Sequence, residues 1–386
     1  MRPIYHGRPI GSAAALAAAL SIDVGVLRDF ASTASGRYSR FAIAKRNGGE
    51  RSICSPSHDL KIIQKRINRA IFGNVEYPNY LFGGIENRDY VKNAQQHAEA
   101  KALIALDISN FYPSITTKHV TEIFKHFCKF PPEIATILTE LTTLDGSVPQ
   151  GACTSSHIAN LVFYDVEHRV VKEFRDRRLI YSRLLDDICI SSSRALQPRE
   201  VAQAISKIAS LLKSKNFKLQ DSKTRALSAS NPETLMEVTG LWLNRGHPRA
   251  KRNDRIDIRT EVRRCESRFL ISRTAPDYHK ERERVSGRVA KLSYLNHFEA
   301  KRYRQRLSNI LPHYDITETI KTRRLVETLA RTTPGDRNTF SFVDRYHKAI
   351  HRVGILARSN HSLARELRNR LSACAPTKTK EDLIYG

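Results

Sequence analysis

A chain of 386 residues with 40% hydrophobic content is long enough for two or three cores and is ordinary for a protein that folds in water. Six cysteines lie far apart with no C-x-x-C, which excludes a zinc knuckle or a disulfide framework, and no stretch approaches the roughly 20 apolar residues of a membrane span. Lys and Arg number 65 against 39 Asp and Glu, a formal charge of +26 spread along the whole length, which predicts attraction to a polyanion: nucleic acid first, an anionic membrane surface a distant second.

Residues 1 to about 40 read as helical. "SAAALAAALSIDVGVL" follows Arg2 and Arg8 in the layout of a signal peptide, but its apolar run is short and Ala-rich. It passes into an acidic, amphipathic continuation, so it is expected to be a helix with Leu16, Leu20 and Leu27 on one side, in a cytoplasmic protein. Then "FAIAKRNGGERSICSP" predicts a hairpin, with Asn47, Gly48 and Gly49 supplying the turn and Lys45, Arg46 and Arg51 at its tip and flanks. A basic amphipathic helix follows in "DLKIIQKRINRAIF".

The stretch from 101 to about 240 is the richest in strands. "ALIALDI" predicts a buried strand, and "SSHIANLVFYDVEHRVVKEF" a helix carrying Ala159, Phe163, Val166, Val170 and Phe174 at helical spacing. "RLIYSRLLDDICISSS" predicts strand, turn and strand. From about 241 the chain is basic and mostly helical, through "RAKRNDRIDIRTEVRRCESR" and "KRYRQR".

Two adjacent carboxylates, Asp186 and Asp187, stand between two apolar runs. A strand sends neighbouring side chains to opposite faces, so the pair belongs at a hairpin turn, where it is either a solvated Asp-Asp turn or half of a divalent-metal site. A third acid, Asp107, closes another apolar run just before Pro113; alone it would most often be a turn cap. If that strand lies beside the hairpin, three carboxylates converge, and hard oxygen ligands of that kind suit Mg²⁺ or Mn²⁺. Two such ions about 4 Å apart form the clamp used in phosphoryl transfer. Between the acid elements, "SVPQGACTSSHIAN" predicts a tight turn at Pro149 and Gly151, then a helix starting with small residues.

Strand-Asp107, then P-Q-G and a helix, then Asp186-Asp187 in a hairpin resembles the motif A, B and C order of the reverse transcriptases. "NAQQH" (Asn93 to His97) and "VTG" (Val238 to Gly240) resemble two motifs characteristic of the retron-type members. "KRNGGERSI" looks like the family's fingers hairpin, and "NFKLQDSKT" resembles motif D. The likeness covers roughly residues 10 to 290, with departures: Leu184 and Leu185 stand where a Tyr and a small residue are usual, and Asn216 and Gln220 where Gly and Asn are usual.

The resemblance implies an α+β right-hand polymerase: fingers (1–101), a palm with an antiparallel sheet (102–240), a basic helical thumb (241–320) and a helical extension (321–386). It implies that Asp107 and Asp186 bind two Mg²⁺ ions, Mn²⁺ being an alternative, with Asp187 in support and Ile108 lending a carbonyl. Lys45 and Arg51 would contact the dNTP triphosphate, and Gln150 and Gly151 would lie against the template and the incoming base pair. Lys223 would donate a proton to pyrophosphate, and Tyr112 would exclude a 2′-hydroxyl. Asn93, His97 and the basic set Arg249, Lys251, Arg252, Arg255, Arg259, Arg263 and Arg264 would bind RNA. The implied reaction is DNA synthesis on a structured noncoding RNA, giving RNA-linked single-stranded cDNA in antiphage defence, with a separate effector protein as partner and the oligomeric state left open. Two alternatives stay open at this point: a defence reverse transcriptase using another primer, such as a protein hydroxyl, or making a repetitive product, and a catalytically dead RNA-binding scaffold.

Overall fold

The computed structural model describes residues 1–44, 48–230 and 234–385, arranged in two units, Met1–Pro248 and Arg249–Ile384. At the centre of the first is a four-stranded antiparallel sheet in the order Ile180–Leu184, Asp187–Ser192, Ala102–Asp107, Arg225–Ser228. Its middle strands read as continuous apolar runs because both faces are covered, and Leu103, Ile104, Leu106, Ile188 and Ile190 are all buried. Helix Glu167–Asp176 packs on the Ile180–Leu184 strand and on helix Pro198–Lys213. The latter starts at a reciprocal Gln197/Glu200 capping box with Pro198 in its first turn, and buries Ala204, Ile208, Leu211 and Leu212.

The basic hairpin forms as expected from its turn chemistry. Strands Tyr38–Ala44 and Glu50–Pro56 pair from Tyr38 opposite Pro56 to Ala44 opposite Glu50, and Gly48 and Gly49 both take left-handed φ values, +82° and +79°. Helix His58–Ala70 follows, capped by the Ser57 hydroxyl and burying Leu60, Ile63 and Ile67.

Two expected helices are each interrupted. The N-terminal one is two, Ala13–Ala19 and Val24–Thr33, because Ser21 turns left-handed (φ +52°) and the Asp23 carboxylate caps the amides of Gly25 and Val26. Leu16, Leu20 and Leu27 are nevertheless all fully buried. The helix expected over 155–174 is Ser155–Leu161 and Glu167–Asp176, separated by tight turns in which the amide of Tyr164 donates to the Leu161 carbonyl and that of Val166 to Phe163. Glu167, three residues before Val170 and seven before Phe174, lies on the buried face of the second of these helices.

The second unit is helical. Helices Arg252–Ile271, Pro276–Tyr294 and Ala300–Ser308 pack together over Ile258, Val262, Tyr278, Val285, Val289 and Tyr303. Helices Ile316–Ala330, Phe340–Leu356 and His361–Ala373 close around a separate cluster including Val326, Leu329, Val353 and Leu367. The boundary expected after residue 240 falls inside the small hairpin Glu237–Val238/Leu241–Trp242, and the one expected after 320 falls inside helix Ile316–Ala330. Among the described residues no helix is long and apolar enough to cross a membrane.

Candidate active site

Strand pairing brings the acids together. Asp107, the last residue of its strand, lies directly opposite Asp187, the first of the neighbouring one. Asp186 occupies the two-residue turn between Leu184 and Asp187, and its carbonyl accepts the Ile108 amide at 3.0 Å. Like charges placed opposite one another destabilise a sheet, so this edge is costly unless a cation offsets it. The electrostatics carry that signature: burial first, then Asp186 and Asp107, push the Asp187 carboxyl up to about 6. Burial and, further down, the Asp107 charge push Asp186 upward as well.

Lys223 is a cation that faces this edge. The segment after helix Pro198–Lys213 is stitched to the end of the Asp107 strand: Ser109 donates its amide to the Lys218 carbonyl at 2.9 Å and Gln220 its amide to the Asp107 carbonyl at 2.8 Å. That stitching puts the Lys223 ammonium 2.8 Å from Asp107 Oδ2, and the hydrogen bond raises the lysine's pKa. Arg51, on the fingers-like hairpin, also acts on this region, opposing the upward shifts of Asp186 and Tyr112. Tyr112 is half-buried in the short helix Phe111–Ser114, with burial and then Asp186 raising its hydroxyl to about 12.

Gln150 and Gly151 lie against the second strand of the basic hairpin. The Cys54 amide donates to the Gln150 carbonyl at 2.8 Å, and Gly151 adopts φ +118° with its α-carbon so close that a β-carbon would stand 2.7 Å from the Cys54 carbonyl oxygen. Only glycine allows that approach. Lys45, Arg46 and Asn47 lie outside the described residues.

Among the described residues no three acidic, His or Cys side chains are already gathered around a common metal position. The donor set nevertheless fits a hard divalent ion. Such ions are commonly held by one or two carboxylates plus substrate phosphates rather than by an all-protein cage, and Asp107, Asp186, Asp187 and the Ile108 carbonyl are oxygen donors at one edge.

The expected RNA contacts are sorted differently. His97 is buried, its Nδ1 2.7 Å from the Ser191 hydroxyl and its Nε2 2.7 Å from that of Ser182, so both ring nitrogens brace the sheet and neither is available to RNA. This corrects the expectation for His97. Asn93 is equally buried, its side-chain carbonyl without a partner, which removes it from the protein surface. In the second unit Arg259 is engaged by Glu299 and Tyr303, and Arg264 by Glu281, while Arg252 and Arg263 are exposed. Arg255 is half-buried with its Nε unpaired, and Arg249 and Lys251 are likewise only partly exposed.

His97 gives a pH prediction. Burial drives its pKa down to about 4, below the ordinary 6.5, so the folded protein holds it neutral while the unfolded chain protonates it. Its contribution is complete above pH 6.5 and is lost as pH falls toward 4, amounting to about 2 kcal/mol by pH 5. Urea titrations at pH 7 and pH 5 are expected to show that loss in the parent and a smaller one in His97→Gln. The comparison between the two isolates His97, because His157 shifts in the same direction and Asp187 in the opposite one. Equal pH dependence in both proteins would refute the assignment.

Two features went unread in the sequence. Arg183, inside the strand before the acid pair, is fully buried against Glu167, and Gly83, buried, and Gly84, exposed, lie against the Leu184–Asp187 hairpin and helix Ser155–Leu161. An arginine inside an apolar strand was the available signal for the first, since such a group is buried only with a partner.

An antiparallel sheet with acids from two strands at one edge, roofed by a basic hairpin, is the palm of a right-hand nucleic-acid polymerase. Residues 43–260 match the family model for reverse transcriptase (RNA-dependent DNA polymerase). The chain is 36% identical to the retron Se72 reverse transcriptase of Salmonella heidelberg over 98% of this chain and all of that one, and 29% identical to the retron Ec48 reverse transcriptase of Escherichia coli over 91% and 89%. Among solved structures, a telomerase from Candida albicans aligns with a TM-score of 0.42 and 10% identity over 90% of this chain and 65% of that one, too loose a likeness to carry any conclusion. The chain belongs to the reverse transcriptase family, in its retron type, and is an RNA-directed DNA polymerase. Divalent metal ions are in general use in this family.

Proposed function

We propose that this reverse transcriptase copies part of a structured noncoding RNA into single-stranded DNA that stays linked to that RNA, with a 2′-hydroxyl of the RNA as primer. The observation that carries the catalytic part is the convergence of Asp107, Asp186 and Asp187 at one sheet edge beside Lys223 and Arg51. Asp107 and Asp186 hold Mg²⁺, with Asp187 in support. When bound, a pair of such ions lowers the pKa of the attacking hydroxyl and neutralises the leaving pyrophosphate. Arg51 pairs with triphosphate oxygens through its planar fork, and Lys45 assists. Lys223 leaves Asp107 and donates a proton to the leaving group.

Gln150 and Gly151 form the floor for the base pair, and Tyr112 fills the space of a ribose 2′-hydroxyl. A Tyr112→Ala enzyme is accordingly expected to lose about 10- to 100-fold of its preference for dNTPs over rNTPs, the scale on which a pocket rejects a small added group. Competing single-nucleotide incorporations measure it, and an unchanged preference would remove Tyr112 from this role.

The exposed cations of the second unit, Arg252 and Arg263 among them, grip RNA by its phosphates and shape, which A-form geometry favours over base reading. The family context supports a role in antiphage defence with a separate effector protein. The protein should be purified from cells that carry its native flanking DNA and the co-purifying nucleic acid sequenced with and without RNase. A discrete DNA whose 5′ end shifts on RNase treatment is expected. DNA attached to protein, or unlinked and repetitive DNA, would overturn the RNA-primed reading.

A further inference from the structure

The turn that carries Asp186 has an unusual residue in it. Leu184 and Asp187 are cross-strand partners, so Leu185 and Asp186 form a two-residue hairpin loop, and Leu185 stands at φ +59°. Two-residue loops with a positive φ at the first central position select glycine, or Asn and Asp, which support the conformation with their own side chains. Leucine has no such means. A bulky residue persists there only when its surroundings hold it.

Those surroundings are specific. The Leu185 side chain lies against Gly83: a β-carbon on Gly83 would stand 2.3 Å from Leu185 Cγ, 2.5 Å from Cδ2 and 3.1 Å from the Leu185 amide nitrogen. Gly83 is not in the left-handed region, so glycine is needed there for space. The next residue, Gly84, is left-handed (φ +65°) and presses equally closely on the Ser156 side chain. The notch is anchored in turn: the Asn160 side-chain Nδ2 donates to the Gly83 carbonyl, the Phe82 backbone amide to the Arg183 carbonyl at 2.9 Å, and the Arg183 backbone amide to the Tyr80 carbonyl at 2.7 Å. From the other side Arg183 Nη1 donates to the Leu185 carbonyl at 3.2 Å and to the Ala159 carbonyl at 3.1 Å, while Nη2 donates to that of Asn160. Both the side chain and the backbone of Leu185 are thus referred to the same helix, Ser155–Leu161.

We infer that Leu185 is a positioning residue, seated in the notch made by Gly83, and that this seat sets the location of the Asp186 carboxylate. The inference rests on the proposed role of Asp186 as a metal ligand. With a relaxed glycine turn, Asp186 would keep its backbone tie to the Ile108 amide but lose the side-chain seat on the neighbouring residue. The strained leucine, locked on two sides, leaves its one adjoining carboxylate a single place, and catalysis by held ions is sensitive to displacements of about 1 Å, which cost on the order of 100-fold in rate.

The test is a double-mutant cycle on full-length protein with Gly83→Ala, Leu185→Ala and both, using poly(rA) annealed to oligo(dT), dTTP and Mg²⁺. Gly83→Ala is expected to lower the single-turnover rate about 30- to 100-fold and to raise the Mg²⁺ concentration for half-maximal rate several-fold. Apparent dTTP affinity and template-primer affinity are expected to stay within about twofold. Leu185→Ala lowers the rate as well, but it removes the atoms with which the methyl group introduced by Gly83→Ala collides, so the double variant is expected to match Leu185→Ala alone rather than the product of the two losses. Multiplying losses, or an unchanged rate and Mg²⁺ requirement in Gly83→Ala, would overturn the positioning role. A general loss of folding would appear as lost template-primer affinity in Gly83→Ala that the double variant restores if the two residues share one seat, and does not restore if they do not. Asp186→Asn is assayed alongside: synthesis surviving in it defeats the site assignment itself, whereas an inactive Asp186→Asn beside a fully active Gly83→Ala defeats only the notch.

Discussion

An Asp186→Asn protein is expected to lose DNA synthesis by about 1,000-fold or more while its melting temperature stays level or rises. The two halves of that result have one cause. Asp186 is pushed toward its protonated form by burial and by Asp107, and Asp187 is pushed to about 6 by burial and both neighbours, so the metal-free edge is held together against repulsion. Asparagine keeps the shape, leaves the Ile108 amide bond to the residue-186 carbonyl in place, and removes one of the repelling charges. What it cannot do is hold a hard cation at the reacting phosphate, where several kcal/mol of charge stabilisation are supplied; about 4 kcal/mol corresponds to the stated factor. Asp107→Asn should match it, and Asp187→Asn, in the supporting position, should lose less. A chelator should abolish the parent's activity and added Mg²⁺ restore it. Single-nucleotide extension, RNA affinity and thermal melts measure these quantities. A melting temperature that falls along with activity would mean the carboxylate is structural, and retained synthesis would mean the site is elsewhere.

The site was legible because its chemistry is local in sequence. An acid that ends an apolar run, and an acid pair between two such runs, mark strand ends and a turn without any knowledge of the rest, and antiparallel pairing then places Asp107 opposite Asp187. The Gly48-Gly49 turn declared itself in the same way. What the periodicity concealed was every feature whose cause lies far along the chain. Ala159, Phe163, Val170 and Phe174 keep helical spacing across a break, because their common requirement is burial, which a tight turn satisfies as well as a continuous helix does. His97 has the spacing of a family motif, and nothing in "NAQQH" announces that Ser182 and Ser191, 85 and 94 residues later, will take both its nitrogens. The basic C-terminal helix reads as one row of cations, and nothing in that stretch announces that Glu281 and Glu299, on later segments, pair with Arg264 and Arg259, both of which stay exposed. Charge composition points to the partner class; tertiary pairing sets how each cation is held.

The largest effect on stability is expected at Glu167, on the helix packed against the strand that leads into the acid pair. Arg183 is fully buried, with its Nε 2.6 Å from Glu167 Oε1 and its Nη2 2.9 Å from Oε2, and the Tyr181 hydroxyl donates to the same carboxylate at 2.7 Å. Burial alone would lower the Arg183 pKa; Glu167 more than reverses it and holds the guanidinium charged. Glu167→Leu leaves that charge buried with only the carbonyls of Ala159, Asn160 and Leu185, and should cost about 3–5 kcal/mol, a large fraction of the roughly 5–15 kcal/mol that holds an ordinary domain folded. Adding Arg183→Met removes the orphaned charge, and buried pairs replaced by apolar residues are often no less stable, so the double variant should recover most of the loss in urea titrations. Its synthesis should nonetheless stay low, because the guanidinium is also the tie between helix Ser155–Leu161 and the Leu185 carbonyl. A Glu167→Leu protein within about 1 kcal/mol of the parent would show that the pair is not held as a buried charge. A double variant restored in both stability and rate would show that Arg183 serves the fold alone, and that the turn bearing Asp186 needs no guanidinium to keep its place.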